Sequence, residues 1–404
     1  MSVENGQNKD KLNTCSCTVV GAADSFCSDS TDDEGYSLKK TVKVGTRGSR
    51  LAIAQTELVV NALKEKFPDV DFRIVTMSTR GDRDTSRALL EFGGKAVFVE
   101  EFETAILEGE IDIAVHSAKD MPMEIMDGLV IAGTLPRACP QDVLIYKSGR
   151  TFAGDEHFVI GTSSLRRQYQ ILDMYPGAEC RNLRGNVNTR IQKLADGEYD
   201  AIILAAAGLE RLGILKKTMK AMPSDKDGSL KTDIPSPDGS NMVSTLEHIS
   251  NEISRDGLTY RYLSTEELLP AACQGIIAIE TRASGEAYEM VKSINDTRAY
   301  TQLICEREVL HQLNAGCHEP IGVYSEISEN GEQIKLSLMK VEENSNQHET
   351  EERCILQAGV SYEKHKSEIG CSQKNLTEQI HRKSVEGSTV DWQELVHKLI
   401  NYNN

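Results

Sequence analysis

No apolar run in this chain approaches the ~20 residues that a membrane-spanning helix needs, so no membrane association is expected. Positive charge is scarce as well: 45 lysines and arginines face 62 aspartates and glutamates, a formal net charge of −17 over 404 residues. Such a surface repels a phosphate backbone, and aromatics at 5% with one tryptophan are too few for a base-stacking platform. No nucleic-acid partner is expected. The sequence has no Gly-x-x-x-x-Gly-Lys-Ser/Thr loop; GTRGSR at Gly45 to Arg50 lacks the trailing residues, and no G-x-G-x-x-G occurs there either. Nucleotide binding is not expected. The ten cysteines form no compact framework, which fits reduced thiols better than disulfides. Cys15 and Cys17 have no His or Cys cluster nearby, so no metal site is expected. The first 40 residues lack both a secretory apolar core and the arginines of a mitochondrial presequence. Polar, Ser-rich and acidic, residues 1–40 are expected to be a disordered tail on a cytoplasmic protein.

Against that acidic background, five arginines crowd one stretch. Arg166, Arg167, Arg184, Arg190 and Arg211 stand in GTSSLRRQ, LRGNVNTR and AAAGLERLG. A guanidinium is a planar fork of donors that matches carboxylate or phosphate oxygens two at a time. Several forks beside Gly and Ser backbone donors describe a pocket for a small polyanionic ligand. The same residues would also serve as a set of solvated ion pairs.

Strands and helices alternate from Thr41 onward. TVKVGTR reads as a strand, SRLAIAQTELVVNALKEKF as a helix with Ser49 as N-cap, FRIVTMS as a strand, and AVFVEEFETAILEGE as a helix. IDIAVHS is a buried strand running into Lys119 and Asp120. A second series follows with DVLIY, FVIGT, AECRNLR and DAIILAAAG as strands, and the pattern predicts α/β lobes with largely parallel sheets. Ligands in such sheets bind beyond the carboxyl ends of the strands, where Arg47, Lys119, Asp120 and the Ser163–Arg167 run all stand. Residues 216–262, rich in Ser, Asp, Pro and Lys, read as a flexible insertion. IIAIE is a strong strand and AYTQLICEREVLHQL an amphipathic helix. Beyond them IKLSLMKVE and ERCILQAGV read as strands, followed by a charged irregular stretch and a last helix, VDWQELVHKLI.

Two motifs carry chemistry of their own. Asp120, at the end of a buried strand, can stabilise a developing cation or act as acid or base, and Lys119 can bind an acidic group. Cys317, in NAGCHEPIG, is a thiol on a Gly-bearing loop beside His318, a setting that favours thiolate. A polar strand end and an inert packed cysteine are the plainer alternatives.

VGTRGSRLAIAQT, HSAKDMP, IGTSSLRRQ, LRGNVNTRIQKL, DAIILAAAGLERLG, LLPAACQG and NAGCHEPIG resemble, in order, the segments of the hydroxymethylbilane synthase (porphobilinogen deaminase) family. The resemblance covers roughly Thr41 to Leu215 and Leu268 to Val323. It implies a transferase of haem and tetrapyrrole (porphyrin) biosynthesis that condenses four porphobilinogen molecules head to tail, releasing ammonia. It implies a covalent dipyrromethane cofactor on Cys317 and a catalytic Asp120. Carboxylate arms would be bound by Lys119, Arg47, Arg166, Arg167, Arg184, Arg190 and Arg211, with Ser49, Gln55, Ser163 and Ser164 as hydrogen-bond partners. The implied fold has three domains: two lobes like type II periplasmic binding proteins and a smaller α+β C-terminal domain. The corresponding limits are 41–136 plus 275–296, 137–274 containing the insertion, and 297–404. A mobile loop over residues 80–92 and a monomeric state are implied as well. A rival reading is a non-catalytic binding protein for a polycarboxylated small molecule, which would need neither Asp120 nor a loaded Cys317. Another is a degenerate family member kept for interactions. Cys273 stands where a small apolar residue is expected, and it reads as a buried thiol.

Overall fold

The computed structural model describes residues 40–78, 99–152, 157–216, 252–316, 319–341 and 380–401. The N-terminal tail, the loop at 80–92, Cys317 with His318, and ERCILQAGV all lie outside the described residues.

The first sheet is built from β1 (Thr41–Arg47), β2 (Asp71–Met77), β3 (Ile113–Ser117) and β4 (Leu129–Thr134). A late strand, Ile277–Arg282, inserts between β3 and β4, giving the order β2-β1-β3-(277–282)-β4. The strands β1, β2 and β3 are parallel, and the inserted strand is antiparallel to both its neighbours. Helix α1 (Arg50–Lys66) starts where the Ser49 hydroxyl accepts the Ala52 amide, an ordinary N-cap. Helix α2 (Glu100–Glu108) ends at Gly109, whose φ of 77° supplies the left-handed cap. Val42, Val44, Val59, Leu63, Ile113 and Ile279 form the core between sheet and helix.

The second sheet repeats the plan with β5 (Asp142–Lys147), β6 (Phe158–Gly161), β7 (Ala178–Arg181) and β8 (Ala201–Ala205). Helices α3 (Leu165–Met174), α4 (Val187–Ala195) and α5 (Ala206–Arg211) follow β6, β7 and β8 respectively. Strands β6, β7 and β8 are parallel, while β5 runs antiparallel to β8. Two further strands, β9 (Glu252–Arg255) and β10 (Leu258–Leu263), complete the order β7-β6-β8-β5-β10-β9. In each lobe, then, a strand that has just crossed from the other lobe runs antiparallel to both of its neighbours, the strand at 277–282 to β3 and β4, and β5 to β8 and β10. These are two α/β lobes, and their sheets are mixed rather than largely parallel.

The hairpin β9–β10 corrects the expected insertion. The stretch expected to be flexible over 216–262 includes two paired strands, and β10 packs along the whole of β5. The reason is local: Asp256 and Gly257 both have positive φ, 53° and 75°, the twist that a two-residue hairpin turn requires. Tyr260 and Tyr262 then point into the core shared with Leu209 and Leu215.

After the strand at 277–282, here β11, come α6 (Glu286–Ser293) and α7 (Thr297–Gln312). The last unit is an antiparallel sheet of β12 (Ile321–Ile327), β13 (Gln333–Val341) and β14 (Ile380–Ser388), covered by α7 and α8 (Trp392–Asn401). The charged stretch before the final helix was expected to be irregular. It is instead an edge strand, because β13 offers nine consecutive pairing positions and an edge tolerates polar side chains. Leu303, Val309, Leu336, Val396 and Leu399 share one core with Ala118, Met121 and Cys273, which fastens this domain to the first lobe and the crossovers.

Candidate functional site

The end of β3 turns through a short 3-10 segment, Ala118–Asp120, anchored by the Ala118 amide on the Ile276 carbonyl at 3.1 Å. That turn leaves Asp120 exposed and Lys119 half-buried beside it. Burial lowers the Lys119 pKa, and the nearby charges of Arg167 and Arg166 push the same way against Asp120 and Asp142. Its ammonium reaches the Gln274 side-chain oxygen at 3.4 Å. The lysine and aspartate expected from the sequence therefore face the second lobe.

On that second lobe Arg166 and Arg167 begin α3 and turn inward, both buried. Between them lies Asp142, the first residue of β5, with no exposed surface. Arg166 donates to its Oδ2 at 2.8 Å and Arg167 to its Oδ1 at 2.6 Å. Each guanidinium also donates to a carbonyl, Arg166 to Leu269 at 2.6 Å and Arg167 to Ile203 at 2.9 Å. Burial alone would raise the Asp142 carboxyl, but the two guanidiniums outweigh it and hold it well below the usual carboxylate range. Two cations on one anion leave a net positive corner. The Nε groups of both arginines are buried without a hydrogen-bond partner among the described residues.

Arg190, on α4, approaches the same corner. Burial and the Arg167 charge lower its pKa, opposed by Asp120, so all three stand within electrostatic reach. Its Nε donates to the Gly185 carbonyl at 2.7 Å. Arg184 is exposed on the loop before α4, and Arg47 is half-buried at the end of β1. Gln55 is buried on α1, its amide 3.0 Å from the Ser117 hydroxyl just before Lys119. Ser163 bridges two loops, its hydroxyl donating to the Leu183 carbonyl at 3.0 Å. Ser164 occupies the N-cap position of α3 without a side-chain cap bond. Arg211 stands apart: it donates to the Gly275 carbonyl at 2.6 Å, its charged neighbour is Glu210, and burial lowers its pKa to about 10.

Sequence reasoning missed Asp142, Gln274 and the pair Arg137–Glu306. Glu306 is fully buried on α7 and takes Arg137 at 2.5 and 3.2 Å, the Ser325 amide at 2.7 Å and the Cys273 amide at 2.5 Å. An acidic residue opening an apolar strand, as in DVLIY, was the available signal for Asp142. Nothing local marks the others, because their partners lie far away in sequence.

Residues 42–236 match the family model described as porphobilinogen deaminase, dipyromethane cofactor binding domain, and residues 300–370 match the porphobilinogen deaminase C-terminal domain. The porphobilinogen deaminase of Brevibacillus brevis is 40% identical over 292 residues, 72% of this chain and 81% of its own. That of Acetivibrio thermocellus is 36% identical over 303 residues, 75% of this chain and 88% of its own. Among solved structures, the BenM effector binding domain with benzoate aligns over 69% of this chain and 95% of its own at 12% identity. Its TM-score is 0.32. Family models over both ends and close relatives along most of the chain agree: the protein belongs to the porphobilinogen deaminase family.

Proposed function

We propose that Asp120, Lys119 and the neighbouring arginines carry the head-to-tail condensation of four porphobilinogen molecules into hydroxymethylbilane. Membership of the family makes the chain a hydroxymethylbilane synthase, a transferase that builds its product on a covalent dipyrromethane and releases ammonia. It disfavours the non-catalytic binding reading. The observation that carries the site assignment is the corner where Lys119 and Asp120 face Asp142, Arg166 and Arg167.

The donor set suits the dipyrromethane. Its arms are carboxylates, and the buried Nε groups of Arg166 and Arg167 are donors still lacking an acceptor. Arg166, Arg167, Lys119 and Arg190 would hold those arms, and Cys317 would supply the thioether sulfur. When bound, the group supplies the nucleophilic pyrrole carbon to which the first substrate is joined.

The chain's own residues do the rest. Porphobilinogen loses ammonia with the C–N electron pair, and the pyrrole nitrogen becomes positive as its own pair fills in behind. Asp120, exposed at the turn, holds that charge electrostatically. Each added unit brings two carboxylates, and Arg47, Arg184 and Arg211 extend the cationic surface for them. Ser49, Gln55, Ser163 and Ser164 add hydrogen bonds. Arg211 commits one of its five N–H donors to the Gly275 carbonyl.

The sheets support domain limits of 41–136 with 275–296, 137–274 and 297–404. The acidic balance supports the absence of a nucleic-acid partner, the cysteine usage supports a cytoplasmic location, and we infer a monomer. The deciding experiment is the intact mass of the purified chain with peptide mapping around Cys317. Two pyrrole units on Cys317 are expected, and Cys317→Ser should carry none. A chain that stays bare after incubation with porphobilinogen, or a loaded and active Cys317→Ser variant, overturns the assignment.

A further inference from the structure

Gln274 is 1% exposed and lies at the point where both chain crossings between the lobes meet. The crossings touch through the Ala138 amide on the Gly275 carbonyl at 3.1 Å. Every polar group of this glutamine is engaged. Its side-chain oxygen accepts from Lys119 of the first lobe at 3.4 Å. Its amide nitrogen donates to Asp142 of the second lobe at 3.0 Å and to the Pro140 carbonyl at 2.7 Å. Its main-chain carbonyl accepts from Arg137 at 2.9 Å, and Arg137 pairs with Glu306 of the third domain. Its main-chain amide donates to Ala271 at 3.0 Å.

The backbone on either side fixes the direction of that side chain. Cys273 has φ 61° and Gly275 has φ 90°, both left-handed. A Cβ on residue 275 would stand 2.5 Å from the Ala138 carbonyl oxygen, so glycine is required there. Cys273 is held in its unfavourable conformation by the bond from its amide to Glu306. Such over-determination is what a residue needs if it is to set distances between other groups.

We propose that Gln274 is a positioning residue for the condensation: one amide that fixes the Lys119–Asp120 turn of one lobe against the Asp142–Arg166–Arg167 corner of the other. This rests on the function proposed above. The chemistry explains why an amide is used. Its acceptor end faces an ammonium and its donor end a carboxylate, so only one orientation is permitted. A reversed amide would set N–H against ammonium and oxygen against carboxylate. Methionine fills the space but binds neither end. Ionised glutamate can still bind Lys119 but repels Asp142, whereas protonated glutamate regains the hydroxyl donor and the carbonyl acceptor of the original amide.

The test compares loaded wild type with Gln274→Met and Gln274→Glu. Wild type must first show two pyrrole units on Cys317 and turn over porphobilinogen; if it does not, the function itself is wrong, whatever the variants do. In Gln274→Met, kcat should fall ~10- to 100-fold, the usual consequence of misplacing reacting groups by about an ångström. KM should change less than about threefold. Intact mass should show primer uptake by the apo-chain slowed, with a thermal midpoint near that of wild type. The groups facing residue 274 are Lys119, Asp142 and Arg137, with Arg166 and Arg167 behind Asp142. Among these, Gln274→Glu should recover toward wild-type activity as pH falls and its own carboxyl takes up a proton. That profile is read from the soluble fraction even where Gln274→Met does not fold. Wild-type kcat and uptake in Gln274→Met overturn the proposal. So does a kcat loss that merely follows a lowered melting point, or a Gln274→Glu activity ratio flat with pH.

Discussion

At the residue scale the chemistry concentrates in charges whose surroundings differ sharply. Asp120 is exposed at a turn, while Asp142 is buried between two guanidiniums. Asp120→Asn keeps the shape but removes the negative charge that opposes a cationic nitrogen. Its loss should lower kcat ~100- to 1000-fold, comparable to removing one electrostatic stabiliser, with the primer still attached by intact mass. Lys119 gives a second prediction, with a sign that can be worked out. Burial sets its folded pKa below the ordinary 10.5, so it sheds its proton before an unfolded-state lysine does. Between those values the folded chain gains stability as pH rises, yet its carboxylate-binding charge is lost. The alkaline fall of kcat/KM should therefore move to higher pH in Lys119→Arg, whose guanidinium stays charged. The substrate's own amine titrates alike in both proteins and cancels in the comparison. Identical profiles would remove Lys119 from carboxylate binding.

At the scale of elements, the regular ones were legible and the reasons are local. Helix α1 has its Ser49 cap and apolar period, and β3 and β5 carry the apolar runs IAV and VLIY. The hairpin β9–β10 was misread because Ser, Asp and Pro upstream outweighed the Asp256-Gly257 turn signal and the alternating Leu258, Tyr260 and Tyr262. Strand β14 was missed because an edge strand needs no apolar face of its own. The arginines were legible as forks but not as partners of one buried carboxylate, since β5 and α3 meet only in the folded chain. That junction predicts a large effect. Asp142→Asn leaves two buried guanidiniums without their anion and should cost about 3–5 kcal/mol, read from chemical denaturation. The wild-type contribution of Asp142 is present above its ordinary pKa of 3.8 and is lost as pH falls toward the depressed folded value. The Asn variant should accordingly show a shallower loss of stability in acid. An Asn variant as stable as wild type would mean that the pair organises nothing.

At the scale of the whole molecule, two lobes and a third domain meet around the crossings, where Arg137, Gln274 and Glu306 are joined by short hydrogen bonds. None of this was legible, because each contact spans more than a hundred residues. The segment 217–251 lies outside the described residues. Leu209 and Leu215 before it share a single core cluster with Leu258, Tyr260 and Tyr262 after it. The second lobe thus closes its core with residues from both ends of the segment, and β10 is held by six register pairs to β5. Replacing 217–251 with a short Gly-Ser linker costs little in loop closure, since that entropy changes only slowly with length. The shortened chain should acquire its dipyrromethane on Cys317 and retain kcat within about threefold of the full chain, with a thermal midpoint within a few degrees. Loss of turnover in a folded, loaded chain would instead show that the segment reaches the site and takes part in it.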